Sequence, residues 1–206
     1  MASGNLRGAR RNFEEALADG YRAAGVELAL LLSQPSAETT DVSRAVSLYE
    51  QGWHDGVTVA AFELGSLYEQ GVRRSGSKDE YLLAPDKSRA WSWFQKGAHA
   101  GEPQALAHLA EKADEVAFFE SDPVKRKAYL LESFKYYAAA AERARTEDWP
   151  DDAWRNWRYR RASLARLLAR EGMMQEVADA YGDVRRRYST EARSLRQRVV
   201  SLFGMD

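Results

Sequence analysis

The sequence contains no cysteine, and this absence excludes several classes of chemistry. Thiol catalysis, thiolate zinc sites, iron–sulfur clusters and disulfide scaffolds all require that residue. No apolar run approaches the roughly 20 residues that a membrane-spanning helix needs. Residues 1–12 carry charges with no apolar segment behind them, so no signal peptide is visible. We therefore expect a cytoplasmic protein, or a periplasmic one if a signal peptide has been removed from the chain.

The sequence also lacks an excess of one charge, because its 30 lysine and arginine residues nearly balance its 31 aspartate and glutamate residues. This balance argues against a chain that mainly coats nucleic acid or an anionic membrane. The charges are nevertheless uneven, since residues 151–206 hold 12 arginines, no lysine and 8 acids. An arginine-rich end suits the carboxylate or phosphate groups of a partner better than a lysine-rich one would.

No strong catalytic motif is present: the sequence has no phosphate-binding loop, dinucleotide fingerprint, His-Glu-x2-His or nucleophile elbow. Ser75 and Lys78 match Ser-x2-Lys, but they lie in a loop rich in glycine and serine rather than at a helix start. The helix dipole explains His54 and His99 near helix ends, and His108 has no acidic partner at ligand spacing. We expect no enzymatic activity, no cofactor and no metal site.

The sequence does contain helical periodicity, because its apolar residues recur three or four positions apart in nearly every long segment. All five prolines can lie at helix boundaries, where their missing N–H leaves no bond unmade. The predicted helices are 7–18, 21–33, 42–53, 57–70, 87–99, 102–119, 124–145, 151–171, 173–187 and 190–203. We expect loops at 33–40 and 71–85, and no strand, because no segment alternates with period two.

A motif of the form aromatic–x2–small–x3–Gly–x3–Ala–x3–Leu occurs three times, at offsets of 36 and 45 residues. The copies carry the aromatics Phe13, Tyr49 and Phe94, the glycines Gly20, Gly56 and Gly101, and the leucines Leu28, Leu64 and Leu109. The small residue lets two helices approach, and the glycine permits a left-handed turn between them. We expect Gly56 and Gly101 to have positive φ and Leu64 and Leu109 to be buried. Because one helix pair cannot cover its own apolar face, the motif predicts an all-α fold, an α/α superhelical solenoid of antiparallel helix pairs.

Residues 60–71, Ala-Ala-Phe-Glu-Leu-Gly-Ser-Leu-Tyr-Glu-Gln-Gly, resemble the Sel1-like repeat of bacterial proteins, a relative of the tetratricopeptide repeat. Residues 85–102 continue the pattern with Asp86, Ala90, Gly97 and Gly101. The resemblance is best over residues 10–110. We expect one solenoid domain over 1–206, with clear repeats in 1–120 and a degenerate repeat plus a helical cap in 121–206. The cap would contain Leu195, Val199, Leu202 and Phe203.

The resemblance implies a non-enzymatic scaffold that binds a partner protein or peptide in a repeat groove. Bacterial Sel1-like proteins include inhibitors and partners of secreted toxins and effectors, so an immunity-type inhibitor or accessory protein is one alternative. A nucleic-acid binder is another, because Trp149, Trp154 and Trp157 interleave with arginines in segment 149–170. Against that alternative, we expect Trp154 or Trp157 to pack into the neighbouring helix pair.

The candidate partner-binding residues follow from the two faces of the predicted helix 57–70. One face carries the apolar positions of the motif, and the opposite face carries polar residues together with Phe62. Carrying that opposite face along the repeats gives Phe62, Ser66, Glu69, Gln104, Glu111, Tyr159, Arg166 and Arg170. In this interpretation Arg166 and Arg170 hold an acidic patch of the partner. The alternative is that these arginines are solvated while Phe62 and Tyr159 pack against the next helix.

Overall fold

A computed structural model describes residues 2–34 and 39–203 of the chain, and the side chains of residues 6–34 and 41–188. The chain divides into two compact units, Met1–Ala100 and Gly101–Asp206. The expectation of a single domain stays a prediction. Within the described residues, no helix is long and apolar enough to cross a bilayer.

Both units are built from helices. The first unit contains α1 (Ala2–Ala18), α2 (Arg22–Leu32), α3 (Thr39–His54), α4 (Val59–Gln70), β1 (Val72–Arg73), β2 (Tyr81–Leu83) and α5 (Lys87–His99). The second contains α6 (Pro103–Phe119), α7 (Pro123–Thr146), α8 (Arg155–Arg170) and α9 (Met174–Phe203). Successive helices pack as pairs within each unit, so the predicted class, an all-α repeat fold of α/α solenoid type, is confirmed.

The helix starts follow from local capping chemistry. Pro103 and Pro123 occupy the first turns of α6 and α7, where their missing N–H costs no intrahelical bond. The carboxylate of Asp122 accepts hydrogen bonds from the backbone N–H groups of Val124 and Lys125 and so satisfies two otherwise unpaired donors. Asp86 caps α5 in the same way. Pro35, another predicted boundary, lies outside the described residues.

The buried positions confirm the repeat motif. The leucines of the three copies, Leu28, Leu64 and Leu109, are at most 3% exposed. Tyr49 and Phe94 are also buried. The turn glycines Gly20, Gly56 and Gly101 have φ values of 91°, 85° and 80°, which non-glycine residues rarely adopt. Each copy is thus a helix, a left-handed turn and a second helix, as predicted.

Gly52 shows why the motif requires a small residue. A Cβ atom at this position of α3 would lie 2.8 Å from Val26 Cγ2 on α2, closer than van der Waals contact allows. In α4 a Cβ on Gly65 would lie 2.7 Å from Cε1 of Phe94. These glycines set the spacing between neighbouring helices of the first unit.

The segment predicted as the loop 71–85 is instead a β-hairpin. β1 pairs antiparallel with β2, with Val72 opposite Leu83 and Arg73 opposite Tyr81. Val72 is buried and the three residues of β2 are half-buried. The expectation of no strands was therefore wrong. Strands of two and three residues are too short to show a period of two, and here burial against the unit stabilises them.

The two helices predicted at 173–187 and 190–203 form one continuous helix, α9. Neither proline nor glycine lies in residues 188–203, so nothing in the backbone chemistry ends the helix at Ser189 or Thr190. The side chains of the predicted cap, Leu195 to Phe203, lie outside the described residues.

Candidate partner-binding groove

The eight predicted site residues belong to three helices. α4, in the first unit, carries Phe62, Ser66 and Glu69. In the second unit, Gln104 and Glu111 lie on α6, whereas Tyr159, Arg166 and Arg170 lie on α8. The predicted residues therefore fall into two sets, one in each unit.

In the first unit, Phe62 packs against Phe94 of α5, with ring centroids 5.9 Å apart and planes at 49°. This is the packing role that we gave as the alternative to partner binding. Ser66 lines a cleft of about 440 Å³ together with Glu63, Leu67 and Gln70. Glu69 is half-buried on the same helix.

Tyr49 and Glu63 both line this first-unit cleft. Burial raises the pKa of the Tyr49 hydroxyl, and the nearby Glu63 carboxylate raises it further. Burial also raises the pKa of Glu63, with a further contribution from the charge of Glu27. The Glu63 carboxylate in this cleft is therefore partly desolvated, at a cost in free energy, rather than held in a preformed ion pair.

The second unit contains another concave surface, which we name the α6–α8 groove. Its floor is α7, which packs against both α6 and α8. Two adjoining clefts of about 410 Å³ each form the groove, and both are lined by Asp114 and Arg160. The Arg160 guanidinium donates a hydrogen bond to Asp114 Oδ2, so this ion pair links the two walls.

One end of the groove is polar. It is lined by Glu111 of α6, Tyr137 of α7, and Asn156 and Tyr159 of α8, beside the ion pair. Burial raises the pKa of the Tyr137 hydroxyl, and the charges of Glu111 and Asp114 raise it further, whereas its hydrogen bond with Arg160 acts in the opposite direction. The hydrogen bond to Asp114 raises the pKa of Arg160. Tyr137 thus stays a neutral hydroxyl at physiological pH, able to donate a hydrogen bond.

The other end of the groove is apolar. Ala117 and Phe118 of α6, Leu130 of α7, and Leu164 and Leu167 of α8 line it. Phe118 is 82% exposed and Leu167 is 42% exposed, although both are large apolar residues. Beyond them, Lys127 contacts Glu171 at 3.3 Å and Arg126 contacts it at 4.0 Å. An apolar depression bordered by charges has the composition of a binding site.

The structure therefore brings two of the predicted residues, Glu111 and Tyr159, into one groove. Tyr159 is 67% exposed, so it does not pack against the next helix. Gln104, Arg166 and Arg170 are not among the residues that line the two clefts. Arg166 and Arg170 are exposed on α8, and a binding role for them stays a prediction.

Sequence reasoning missed the groove roles of Tyr137, Arg160, Phe118 and Leu167. A signal existed for Phe118, because consecutive phenylalanines at the end of an amphipathic helix cannot both face its core. No comparable signal marked Tyr137, which lies in an apolar stretch of α7 and is 3% exposed.

The arginine- and tryptophan-rich segment 149–170 uses its tryptophan rings for packing. Trp154 is buried among Ala141 and Ala144 of α7, which confirms the expected core role. Trp149 and Trp157 contact each other with centroids 6.0 Å apart, and the Arg158 guanidinium lies 4.9 Å from the Trp154 ring centroid. These contacts explain the interleaved pattern without a nucleic-acid ligand.

The other candidate chemistry lies apart from these clefts. Ser75 and Lys78 are exposed in the turn of the β-hairpin. Among the residues that the structure describes, no group of three or more histidine or carboxylate side chains is placed to hold a metal ion.

Comparison with known proteins finds similarity among solved structures. No family model matches the chain, and no curated protein matches it. A solved structure that does match is c5321, a protective antigen present in uropathogenic Escherichia coli strains, which displays an SLR (Sel1-like repeat) fold. The two chains are 14% identical with a TM-score of 0.40, and the match covers 92% of this chain and 50% of that one. This chain thus spans about half the length of that antigen.

The chain is an α-helical repeat protein that resembles the Sel1-like class. The repeated motif supports this assignment, together with the helix pairs, turn glycines and buried leucines that the motif predicts.

Proposed function

We propose that this protein is a non-catalytic interaction protein that binds a partner protein or peptide in the α6–α8 groove. The observation that carries the proposal is the exposure of Phe118 and Leu167 at the edge of a groove that also holds the Asp114–Arg160 ion pair. Large apolar side chains that are exposed together beside a concave surface are typical of interaction sites.

The apolar end supplies the affinity in this proposal. Phe119 and Val124 are both 77% exposed near Phe118, so the apolar surface extends beyond the groove. Covering one such side chain completely yields about 1.5–3 kcal/mol. A partner that covers Phe118 and Leu167 together therefore gains enough to offset part of the entropy lost on association.

The polar end supplies orientation. Glu111, Tyr137 and Tyr159 offer hydrogen-bonding groups around the Asp114–Arg160 pair. Aromatic and arginine side chains at such positions are typical of interface hot spots. Glu111 and Tyr159 keep the binding role predicted from the sequence, and Arg166 and Arg170 extend the proposed contact along the exposed side of α8.

The groove supports binding rather than catalysis. Its arginine is already paired with a carboxylate, and its tyrosine has a pKa raised by burial, so neither is prepared as a base or nucleophile at neutral pH. The proposal that the partner is a secreted toxin or effector stays a prediction.

Comparative capture of partners from the native organism tests the proposed function. The groove variant is Phe118→Asp with Leu167→Asp, and the matched control is Tyr21→Asp, which also places a charge on an exposed apolar residue. We expect a protein captured by the wild type and the Tyr21→Asp control to be lost from the groove variant. A captured set that is the same for all three chains would contradict the proposal.

A further inference from the structure

Two arginines border the apolar end of the groove on the outer side of α8, and we name Arg166 and Arg170 the α8 rim. Around the helix, Arg170 lies about 60° and Arg166 about 100° to one side of the groove residue Leu167. Leu164 and Leu168 lie at about the same angles on the other side and are at most 5% exposed. The rim arginines are exposed, so they face solvent along the edge that is opposite to the core.

The rim arginines differ from their neighbours on α8 in having donors to spare. The Arg160 guanidinium donates to Asp114, and that of Arg161 donates to the hydroxyl of Tyr181. Among the side chains that the structure describes, neither rim guanidinium forms an ion pair or a hydrogen bond. Each therefore keeps its positive charge and its planar set of N–H donors for a carboxylate of a partner.

The charged groups inside the apolar end do not cancel the charge of the rim. Arg160 is paired with Asp114, so these two groups are neutral together. Glu171 contacts Lys127 at 3.3 Å and Arg126 at 4.0 Å, so two cations share one carboxylate. This end of the groove is thus positive before the rim is considered, and the rim arginines increase the excess. An anionic group of a partner complements it.

The apolar lining favours a protein segment over a nucleic acid as the source of that anionic group. Phe118 and Leu167 are exposed beside the rim, and apolar side chains of a protein can cover them. The carboxylates of Asp114 and Glu171 line the same cleft and would repel a run of phosphates.

The length of the apolar end sets the length of the bound segment. The residues of α8 that line it run from Arg160 to Glu171, or about 16 Å along the helix at 1.5 Å per residue. Three turns of a helix span that length. The walls and floor are themselves helices, so an amphipathic helix fits by packing its apolar ridge between them.

We propose, on the basis of the proposed function, that the apolar end of the groove binds an amphipathic helix of a partner protein with acidic residues along one flank. The apolar ridge of that helix covers Phe118 and Leu167. Its acidic flank lies against Arg166 and Arg170, whose guanidinium groups bind the carboxylates. The α8 rim thereby selects partners by the charge beside their apolar face.

Three synthetic 15-residue helical peptides test this inference by fluorescence anisotropy with the full chain. They share one apolar ridge and differ only along one flank, which carries glutamate, glutamine or lysine. We expect the glutamate peptide to bind roughly threefold to tenfold more tightly than the glutamine peptide at low salt, because each rim arginine adds one exposed ion pair. The lysine peptide should bind most weakly, and the differences should shrink as salt is added.

Charge variants of the chain show whether the rim is responsible. Arg166→Gln with Arg170→Gln should remove most of the preference for glutamate and leave the affinity for the glutamine peptide unchanged. The matched control, Arg7→Gln with Arg185→Gln, removes the same charge from two arginines that are exposed elsewhere, and it should keep the preference. Arg166→Glu with Arg170→Glu should make the lysine peptide the best ligand. All four positions are exposed, and circular dichroism checks that each variant keeps its helices.

The outcomes separate the acidic flank from the binding itself. Equal affinity for the three peptides, or a preference that survives Arg166→Gln with Arg170→Gln, would overturn the acidic flank. If Leu167→Asp abolishes that binding, the groove remains the binding site and the proposed function stands. If Leu167→Asp changes nothing, or if none of the peptides binds, the acidic flank and the groove as a peptide site both fall. Binding of a single-stranded oligonucleotide through the rim, in place of the peptides, would assign the arginines to nucleic acid instead.

Discussion

Gly71, which joins α4 to the β-hairpin, offers the sharpest test of the backbone geometry. Its φ of 66° and ψ of 179° lie in a region that is essentially restricted to glycine. A Cβ atom there would also lie 2.5 Å from the carbonyl oxygen of Leu83 and 2.8 Å from Cδ of Pro85. Both obstacles belong to the backbone or to a rigid ring, so neither can rotate away.

Gly56 is the matched control, because it also has a positive φ, 85°, but a Cβ atom there would meet nothing within 4 Å. Gly56→Ala therefore bears only the left-handed backbone cost of about 1–2 kcal/mol, partly offset by the reduced freedom of the unfolded chain. Gly71→Ala bears a larger backbone cost, because its φ and ψ lie in a region that is essentially restricted to glycine, and it must also displace β2. We expect it to lower the free energy of unfolding by about 3 kcal/mol or more, in the range of overpacking added to strain.

Urea denaturation followed by far-ultraviolet circular dichroism measures both variants against the wild type. The expected order of stability is wild type, then Gly56→Ala, then Gly71→Ala, with the second step at least as large as the first. Equal losses in the two variants would refute the close approach of β2 to Gly71 and with it the packing of the hairpin on the first unit.

The remaining predictions concern the core and one carboxylate. Leu64→Ala and Leu109→Ala each remove a buried side chain at equivalent repeat positions. Each should lower the free energy of unfolding by about 2–5 kcal/mol, measured by thermal or urea unfolding. An unchanged melting temperature for Leu64→Ala would show that the repeat register is wrong. Burial and the charge of Glu27 raise the pKa of Glu63 above its value of 4.5 in the unfolded chain. The protonated Glu63 side chain therefore contributes stability that is fully present below pH 4.5, and this contribution is lost as the pH rises through the pKa of the folded state. Glu63→Gln should therefore raise the melting temperature at pH 7 and raise it less at pH 4, whereas an equal effect at both pH values would rule out this explanation.

The helix pairs could be predicted because their determinants are local. The motif repeats a glycine at the left-handed turn, a small residue where two helices approach and a buried leucine, all at fixed spacing. Each requirement concerns a single position, such as Gly56 or Leu64. The hairpin could not be predicted in this way, because Val72 and Leu83 pair only when the unit buries them.

The candidate site was predicted in part, for a geometric reason. The binding face was derived from the residue positions of α4 and transferred to equivalent positions of α8. The repeat is least regular in the part of the sequence that contains α8. Glu111 and Tyr159 line the groove together with Arg160 and Leu167, whereas Arg166 and Arg170 do not, and a binding role for each of the predicted residues stays a prediction. On a helix, neighbouring positions differ by 100° in direction, so a small error in register exchanges one set of residues for another.

The central claim, that the α6–α8 groove binds the partner, is tested most directly by site-specific photo-crosslinking. A photo-reactive amino acid is placed at Leu167 in one chain and at Tyr21 in another, both exposed apolar positions, and each chain is irradiated in a lysate of the native organism. The account predicts that one protein is crosslinked from position 167 and not from position 21, and that Phe118→Asp in the same chain abolishes the crosslink. Crosslinking of the same protein from both positions, or a crosslink from position 167 that survives Phe118→Asp, would contradict it.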